Sequence, residues 1–253
     1  MIILKKYKLG ENIFKFKRIQ FDYDLSSYFK KVIEKYFDKL NENIENAFQK
    51  LSDANVNYSA FLDYDIPPHH FMMYGDIHYI LSARENDNSL EKTEEVNSYF
   101  EKVFDERIKN RIINNWKNNS LLTIRLELLM QAIECYENEL YGPTVSTFAT
   151  QIEGVMKQKI DKPFENIGTK KLKHIINKLF SKKGIGSTDL TTSKYFEDKF
   201  IKSNRDLPSN RHAIAHGNIA NYTKKIDAVR MIMIFDSVVS RLDVADKKAL
   251  LGD

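Results

Sequence analysis

Apolar residues recur every three or four positions along most of this chain, which is the spacing that places them on one face of a helix. The longest such stripe covers residues 26–51, and another begins after Ser89 and reaches Trp116. Shorter helical patterns cover residues 121–140, 144–160, 170–180 and 223–246. The sequence therefore predicts a mostly α fold whose C-terminal part is a bundle of four or five helices.

Three stretches depart from this spacing. Residues 1–24 alternate apolar and polar positions in places, which predicts short strands or an irregular start in a largely helical N-terminal region. Residues 63–82 contain Pro67-Pro68, which breaks a helix there, and the pattern that follows fits either a helix or a strand. We also expect Gly142 to end one helix and Pro143 to begin the next.

The asparagine-rich segment NNWKNNS, at residues 114–120, is the best candidate for a domain boundary. It is short and polar and lies between two helical patterns, as connections do. We therefore predict an N-terminal region over residues 1–118 and a helical domain over residues 119–253. The residues of the N-terminal region indicate no particular role.

The composition is that of a soluble globular protein, with 42% hydrophobic and 29% charged residues among 253. A net charge of +4 is compatible with a nucleic-acid partner without requiring one. The single cysteine, Cys135, excludes an internal disulfide framework and fits a reducing compartment. The chain shows no signal-peptide pattern and no run approaching the ~18 apolar residues of a membrane span. We expect a cytoplasmic protein that has no membrane partner.

The segment RHAIAHG, from Arg211 to Gly217, contains two of the six histidines. On a helix, His212 and His216 lie one turn apart and share a face. Three interpretations are open: a buried structural turn, half of a zinc site, or an arginine–histidine pair that acts on phosphate. Zinc would need a third ligand, and Arg211 would add positive charge beside the metal.

The phosphate interpretation uses the chemistry of both residue types. Arg211 offers a planar fork of donors that suits phosphate oxygens, and His216 can exchange a proton near neutral pH. Cleavage of a phosphodiester beside a ribose 2′-hydroxyl needs such proton exchange and a balancing positive charge, and no metal is obligatory. Residues five apart lie about 140° apart around a straight helix. The arginine must therefore reach around the helix, or the helix must end here, and Gly217 is a natural helix stop.

Two other patterns suggest ligand sites. The sequence GIGST at residues 184–188 invites a phosphate-loop interpretation, but the expected lysine is missing and no strand precedes it, so a flexible connection is favoured. His69 and His70, with His78, could supply metal ligands, although no cysteine cluster or HExxH pattern accompanies them. We predict that the protein uses no cofactor and no metal.

The segment from Arg211 to His216 resembles the R-x(4–6)-H motif of HEPN-domain proteins, and residues 132–160 are similar to the helical hairpin that precedes this motif. The resemblance covers residues 121–253. It implies a HEPN-like helical bundle with metal-independent endoribonuclease activity, in which Arg211 and His216 form the catalytic pair and His212 assists. HEPN ribonucleases are common in bacterial toxins, abortive-infection systems and CRISPR effectors, so the resemblance also implies anti-phage defence or growth arrest.

One position of this chain departs from the pattern of a HEPN subgroup, and the family also includes a second possible function. Toxin members paired with a nucleotidyltransferase antitoxin often carry a tyrosine two positions after the histidine, where this chain has Asn218. The family includes members that only bind, so the alternative is an inactive module that binds RNA, a nucleotide or a protein partner. By the same analogy, residues 1–118 would sense a signal or restrain the nuclease, and the cognate inhibitor or trigger is unknown.

The chemistry of RNA cleavage also predicts how copies of this chain assemble. One arginine–histidine pair offers a single acid–base group, whereas cleavage requires two proton transfers. Two copies facing each other across a two-fold axis would supply both, and the resemblance implies the same composite cleft. We therefore predict a homodimer that binds RNA, with Arg211 and His216 near the axis. The apolar residues of the final helix could pack inside the bundle or across this interface: Val229, Met233, Ile234 and Val238.

Overall fold

The computed structural model describes residues 59–86, 90–160, 169–181, 195–196 and 211–251. In this part of the chain 79% of the residues are helical and none forms a strand, which confirms the predicted mostly α fold. The predicted strands near the N-terminus, the helix at residues 26–51 and the loop at residues 184–188 lie outside the described residues. No described helix combines the length and the apolar character that crossing a membrane requires.

The described helices follow one another in a simple order. They are α1 (Ser59–Asp63), α2 (Tyr74–Asn86), α3 (Leu90–Val103), α4 (Lys109–Lys117), α5 (Leu126–Glu137), α6 (Tyr141–Lys159), α7 (Thr169–Ser181), α8 (Arg211–Ala215), α9 (Lys225–Val244) and α10 (Lys247–Leu251). A π-helical segment, Phe104–Ile108, joins α3 to α4, and a 3₁₀ turn, Ser120–Leu122, precedes α5.

Residues on both sides of the predicted domain boundary share one core. The described residues all belong to one compact unit that begins at Leu51, and residue 118 falls inside it. Within that unit α9 packs against α6 and α7 and also against α3, which precedes the boundary. The asparagine-rich segment contains Trp116, which is almost fully buried. Helices from both predicted regions, residues 1–118 and 119–253, therefore belong to one compact unit.

The final long helix, α9, is surrounded by the rest of its unit. Every residue from Ile226 to Val239 is buried, so α9 has no solvent-facing stripe over this length. The four apolar residues named above for this helix are among them, each 1% exposed or less. Because one chain already covers these side chains, they lie in its own core and are not available to an interface between two copies.

A buried arginine inside this core is satisfied by distant segments. Arg230 of α9 donates hydrogen bonds to the backbone carbonyls of Asp65 at 2.7 Å and Tyr64 at 3.0 Å, and to Asn97 Oδ1 at 2.9 Å. A buried charge needs such partners to offset the loss of hydration. The contacts attach the segment after α1 to the central helix, and they place the following residues, His69 and His70, beside α9.

The π-helical segment keeps one face of the α3–α4 helix against the core. The buried residues Phe104, Ile108, Ile112 and Trp116 follow at steps of four. In a straight α-helix each step of four turns the side chain about 40° further around the axis. A π turn holds more residues, which reduces this drift at the first step. The sequence predicted this apolar face, but not the π segment that maintains it.

One predicted helix boundary is wrong by a few residues. Gly142 was expected to end a helix, but α5 ends at Glu137 and the chain turns at Glu139, whose φ is +61°. Gly142 and Pro143 instead lie in the first turn of α6. Proline is tolerated there because the first backbone N–H groups of a helix have no partner within the helix.

Candidate functional site

The motif segment forms a short helix held by its apolar residues. Arg211 is the first residue of α8 and Ala215 is the last. Ala213 and Ile214, in the middle, are buried, and α8 packs against α6. Burial of these two side chains fixes one face of the helix, so the residues on either side of them are positioned by the core.

The helix ends in a Schellman motif at the position the sequence predicted. The Gly217 N–H donates to the Ile214 carbonyl at 3.0 Å, and the Asn218 N–H donates to the Ala213 carbonyl at 2.8 Å. Gly217 has φ +68°, the left-handed conformation that glycine adopts without a steric penalty. His216 therefore stands at the C-cap, where its side chain is exposed. This confirms the predicted helix stop.

The structure describes the three proposed catalytic residues to different extents. It gives the backbone of Arg211 and His212 at the start of α8, whereas their side chains lie outside the described part. His216 is described in full and is exposed five positions after Arg211. The roles of these three residues as a catalytic group stay predictions.

The segment that follows the motif is attached to neighbouring elements at Tyr222 and at Lys225, the first residue of α9. Ser146 of α6 donates a hydrogen bond to the Tyr222 hydroxyl oxygen at 3.2 Å. The Lys225 ammonium contacts Asp105 Oδ2 at 2.6 Å, and this hydrogen bond is the main reason that the pKa of Lys225 is raised. The chain that carries His216 is thus held by α8 on one side and by these contacts on the other.

We expect the Gly217→Ala substitution to lower the free energy of unfolding by about 1 kcal/mol, because an L-residue with a Cβ is strained at positive φ. Chemical denaturation of both proteins would measure the difference. The same strain should loosen the C-cap at His216.

Gly75→Ala is the matched control for this substitution. Gly75 lies in the first turn of α2, is exposed, and a Cβ added there would meet no atom within 4 Å. Alanine at such a position is expected to stabilise by about 0.5 kcal/mol, because it reduces the freedom of the unfolded chain. An equal effect of the two substitutions would contradict the assigned conformation of Gly217.

A second group of polar residues surrounds Asp236, in the middle of α9. The Trp116 indole N–H donates to Asp236 Oδ1 at 2.7 Å. His69 Nε2 lies 3.0 Å from Oδ2, His70 Nε2 lies 3.7 Å from the same atom, and Ser240 Oγ donates to it at 3.5 Å. The Asp236 side chain is 1% exposed, so these contacts replace water around a buried carboxylate.

The hydrogen bonds define the state of the His69 ring. The Phe71 backbone N–H donates to His69 Nδ1 at 3.2 Å, so Nδ1 acts as an acceptor. The proton of the neutral ring is then on Nε2, which donates to Asp236. His70 stacks on His69 with ring centroids 4.4 Å apart. Burial lowers the pKa of His70 to about 4 although Asp236 opposes the shift, so His70 is neutral at pH 7.

A cavity of about 330 Å³ opens beside this group. The residues that line it are His70, Asn115, Trp116, Asn118, Asn119, Asp236, Val239, Ser240 and Asp243. The volume is at the lower end of the range found for small-ligand sites. The segment that the sequence identified as a connection therefore contributes three asparagines to a polar cavity.

Only part of this cluster was visible in the sequence. His69 and His70 were named there as candidate metal ligands together with His78, but His78 Nδ1 lies 3.3 Å from Ser82 Oγ on α2 and is not in the group. The third member is Asp236, which follows His69 by 167 residues. No local pattern connects these positions, and only the Pro67-Pro68 break hinted that this stretch is irregular.

The two groups of residues lie at different places along α9. The motif precedes the first residue of this helix, whereas Asp236 lies about three turns, or ~16 Å, further along it. The motif offers an exposed histidine at a helix end, and the second group offers nitrogen and oxygen ligands at a cavity. Comparison of the chain with protein-family models, curated proteins and solved structures finds no match.

Proposed function

We propose that the protein is a metal-independent endoribonuclease of the HEPN type, acting in anti-phage defence or in toxin-mediated growth arrest. The observation that carries the proposal is the end of α8, where the Schellman motif at Gly217 leaves His216 exposed at the C-cap. An arginine opens the same five-residue helix. A helix stop at this place is what the sequence argument asks of an arginine–histidine pair five positions apart, and it supports the proposal.

In the proposed reaction a ribose 2′-hydroxyl attacks the adjacent phosphorus. His216 takes part in the proton transfers, and Arg211 balances the negative charge that develops on the phosphate oxygens. His212 assists in binding or proton transfer. The bond from phosphorus to the 5′-oxygen breaks, and the leaving oxygen takes up a proton, which gives a 2′,3′-cyclic phosphate and a 5′-hydroxyl. RNA in the cytoplasm is the substrate under this proposal.

The test is to incubate the purified full-length chain with total RNA in the presence of EDTA and to map the ends of the fragments. Cyclic phosphate and 5′-hydroxyl ends that form with EDTA present are the expected result. Ends of the opposite polarity, with a 3′-hydroxyl, would contradict 2′-hydroxyl attack. Binding of RNA without any cleavage by the chain would favour the inactive binding module instead.

The proposed mechanism predicts a homodimer, because two copies supply the second proton-transfer group and the second cation. Light scattering coupled to size exclusion, at micromolar concentration, should give a mass of twice the 29.6 kDa of one chain. Since Val229, Met233, Ile234 and Val238 are buried within one chain, the contact must use other residues. A strict monomer with full cleavage activity would refute the composite cleft.

A further inference from the structure

We propose that His69, His70 and Asp236 form a binding site for a divalent transition-metal ion. Each of the three residues offers one ligand atom, and these atoms all lie within 4.8 Å of one another. Both histidines approach Asp236 Oδ2 through their Nε2 atoms. This site is independent of the proposed ribonuclease function, whose residues precede the start of α9.

The first argument is the charge on Asp236. Its carboxylate is buried, and the described residues around it donate hydrogen bonds from an indole, an imidazole and a hydroxyl. Among the described residues, no lysine or arginine forms an ion pair with Asp236. Buried charges in proteins are usually paired with an opposite charge or coordinate a metal. A bound cation would place a positive charge in direct contact with the carboxylate.

The second argument is the geometry of the ligand atoms. Zinc binds imidazole nitrogen and carboxylate oxygen at about 2.0–2.2 Å, so two ligands of a tetrahedral site lie roughly 3.4 Å apart. The observed separations from Asp236 Oδ2 are 3.0 Å for His69 and 3.7 Å for His70, on either side of this value. The His70 side chain is 43% exposed, so its ring can turn toward the ion without disturbing the core.

The third argument is the set of ligands and where they face. Two histidines and one carboxylate are a ligand set found in zinc sites and in non-haem iron sites, which leave further positions open. His70 and Asp236 both line the cavity of about 330 Å³, so an ion between them can keep water or a small ligand. The indole of Trp116 holds the other carboxylate oxygen, as outer-shell partners of metal ligands do.

In addition to the turn of the His70 ring, metal binding requires a change in proton position at His69. Its Nε2 now carries the proton that is donated to Asp236, and this proton must leave before Nε2 can bind the ion. The Nε2 proton passes to solvent and Nδ1 takes up one proton in exchange, so the ring stays neutral and no net proton is released. The Phe71 N–H then loses its acceptor. The bond formed is from Nε2 to the metal, and the hydrogen bonds lost are those to Asp236 and from Phe71. His69 therefore changes tautomer on binding, which ¹⁵N NMR of the imidazole can detect.

Titration with zinc of the full-length protein, first stripped with a chelator and dialysed, tests the site. We expect one equivalent of Zn²⁺ per chain, a rise in the thermal midpoint, and a switch of the His69 proton from Nε2 to Nδ1. In the His70→Ala variant the affinity should fall by about 100-fold or more, because loss of a direct ligand costs at least as much as loss of an outer-shell partner.

Two matched variants separate this site from other histidines. His78→Ala removes an exposed histidine of α2 that lies outside the cluster, and it should bind zinc as the wild type does. The double variant Arg211→Ala/His216→Ala should also retain binding, since it leaves the cluster intact. The proposal is overturned if the wild type binds no zinc, if His70→Ala binds it as tightly as His78→Ala, or if binding is lost with His216 instead.

Discussion

We expect the His216→Ala variant to cleave RNA about 10²–10⁴-fold more slowly than the wild type, because a positioned acid–base group contributes a factor of this size. Arg211→Ala should cost about 10²–10³-fold, as the loss of one charge-stabilising donor typically does. The double variant should show no cleavage above background. Its loss in rate should be smaller than the product of the two single losses, because the effects of groups that act together are not additive. Rates of fragment formation on one defined RNA would measure all three proteins.

The controls for this result follow from the exposure of the side chains. His216 is exposed, so the His216→Ala variant should keep the thermal midpoint of the wild type. His174 is another exposed histidine, on α7, and His174→Ala should cleave at the normal rate. Expression in bacteria gives a second readout, in which the wild type reduces survival and the His216→Ala variant does not. Normal cleavage by the double variant would refute the assigned mechanism.

The sequence predicted those features that depend on local periodicity. The apolar stripe that ends at Trp116 and the pattern at residues 223–246 correspond to the helices observed at these places. The glycine after His216 predicted a helix stop, because only one residue type adopts the left-handed conformation without cost. In each case the information lies within a few neighbouring residues, which is the range over which a sequence pattern can be interpreted.

Features that depend on distant contacts could not be predicted in this way. Arg230 and Asp236 of α9 are buried, and they are satisfied by segments more than a hundred positions earlier. The asparagines around Trp116 suggested a boundary, whereas this tryptophan packs in the core and its neighbours line a cavity. A polar residue indicates exposure only when no partner is available, and periodicity carries no information about partners.

Phe235→Ala is expected to cause the largest loss of stability among single substitutions in the aromatic part of the core, about 3–5 kcal/mol. The Phe235 side chain is fully buried in α9, and its ring lies 5.3 Å from that of Trp116 and 5.2 Å from that of Phe148. These three rings come from α4, α6 and α9. Alanine would leave a cavity where these helices meet, and chemical denaturation would measure the loss.

The size of this effect depends on α9 being enclosed around Phe235, so the exposed last residue of the same helix provides the control. Val244 is 84% exposed, and Val244→Ala should change the free energy of unfolding by less than about 0.5 kcal/mol. Phe235→Leu keeps most of the buried volume and should cost about 1.5 kcal/mol. A typical domain is stable by only about 5–15 kcal/mol, so Phe235→Ala should also lower the thermal midpoint by several degrees. If Phe235→Ala and Val244→Ala were equally stable, α9 could not be the central helix of this core.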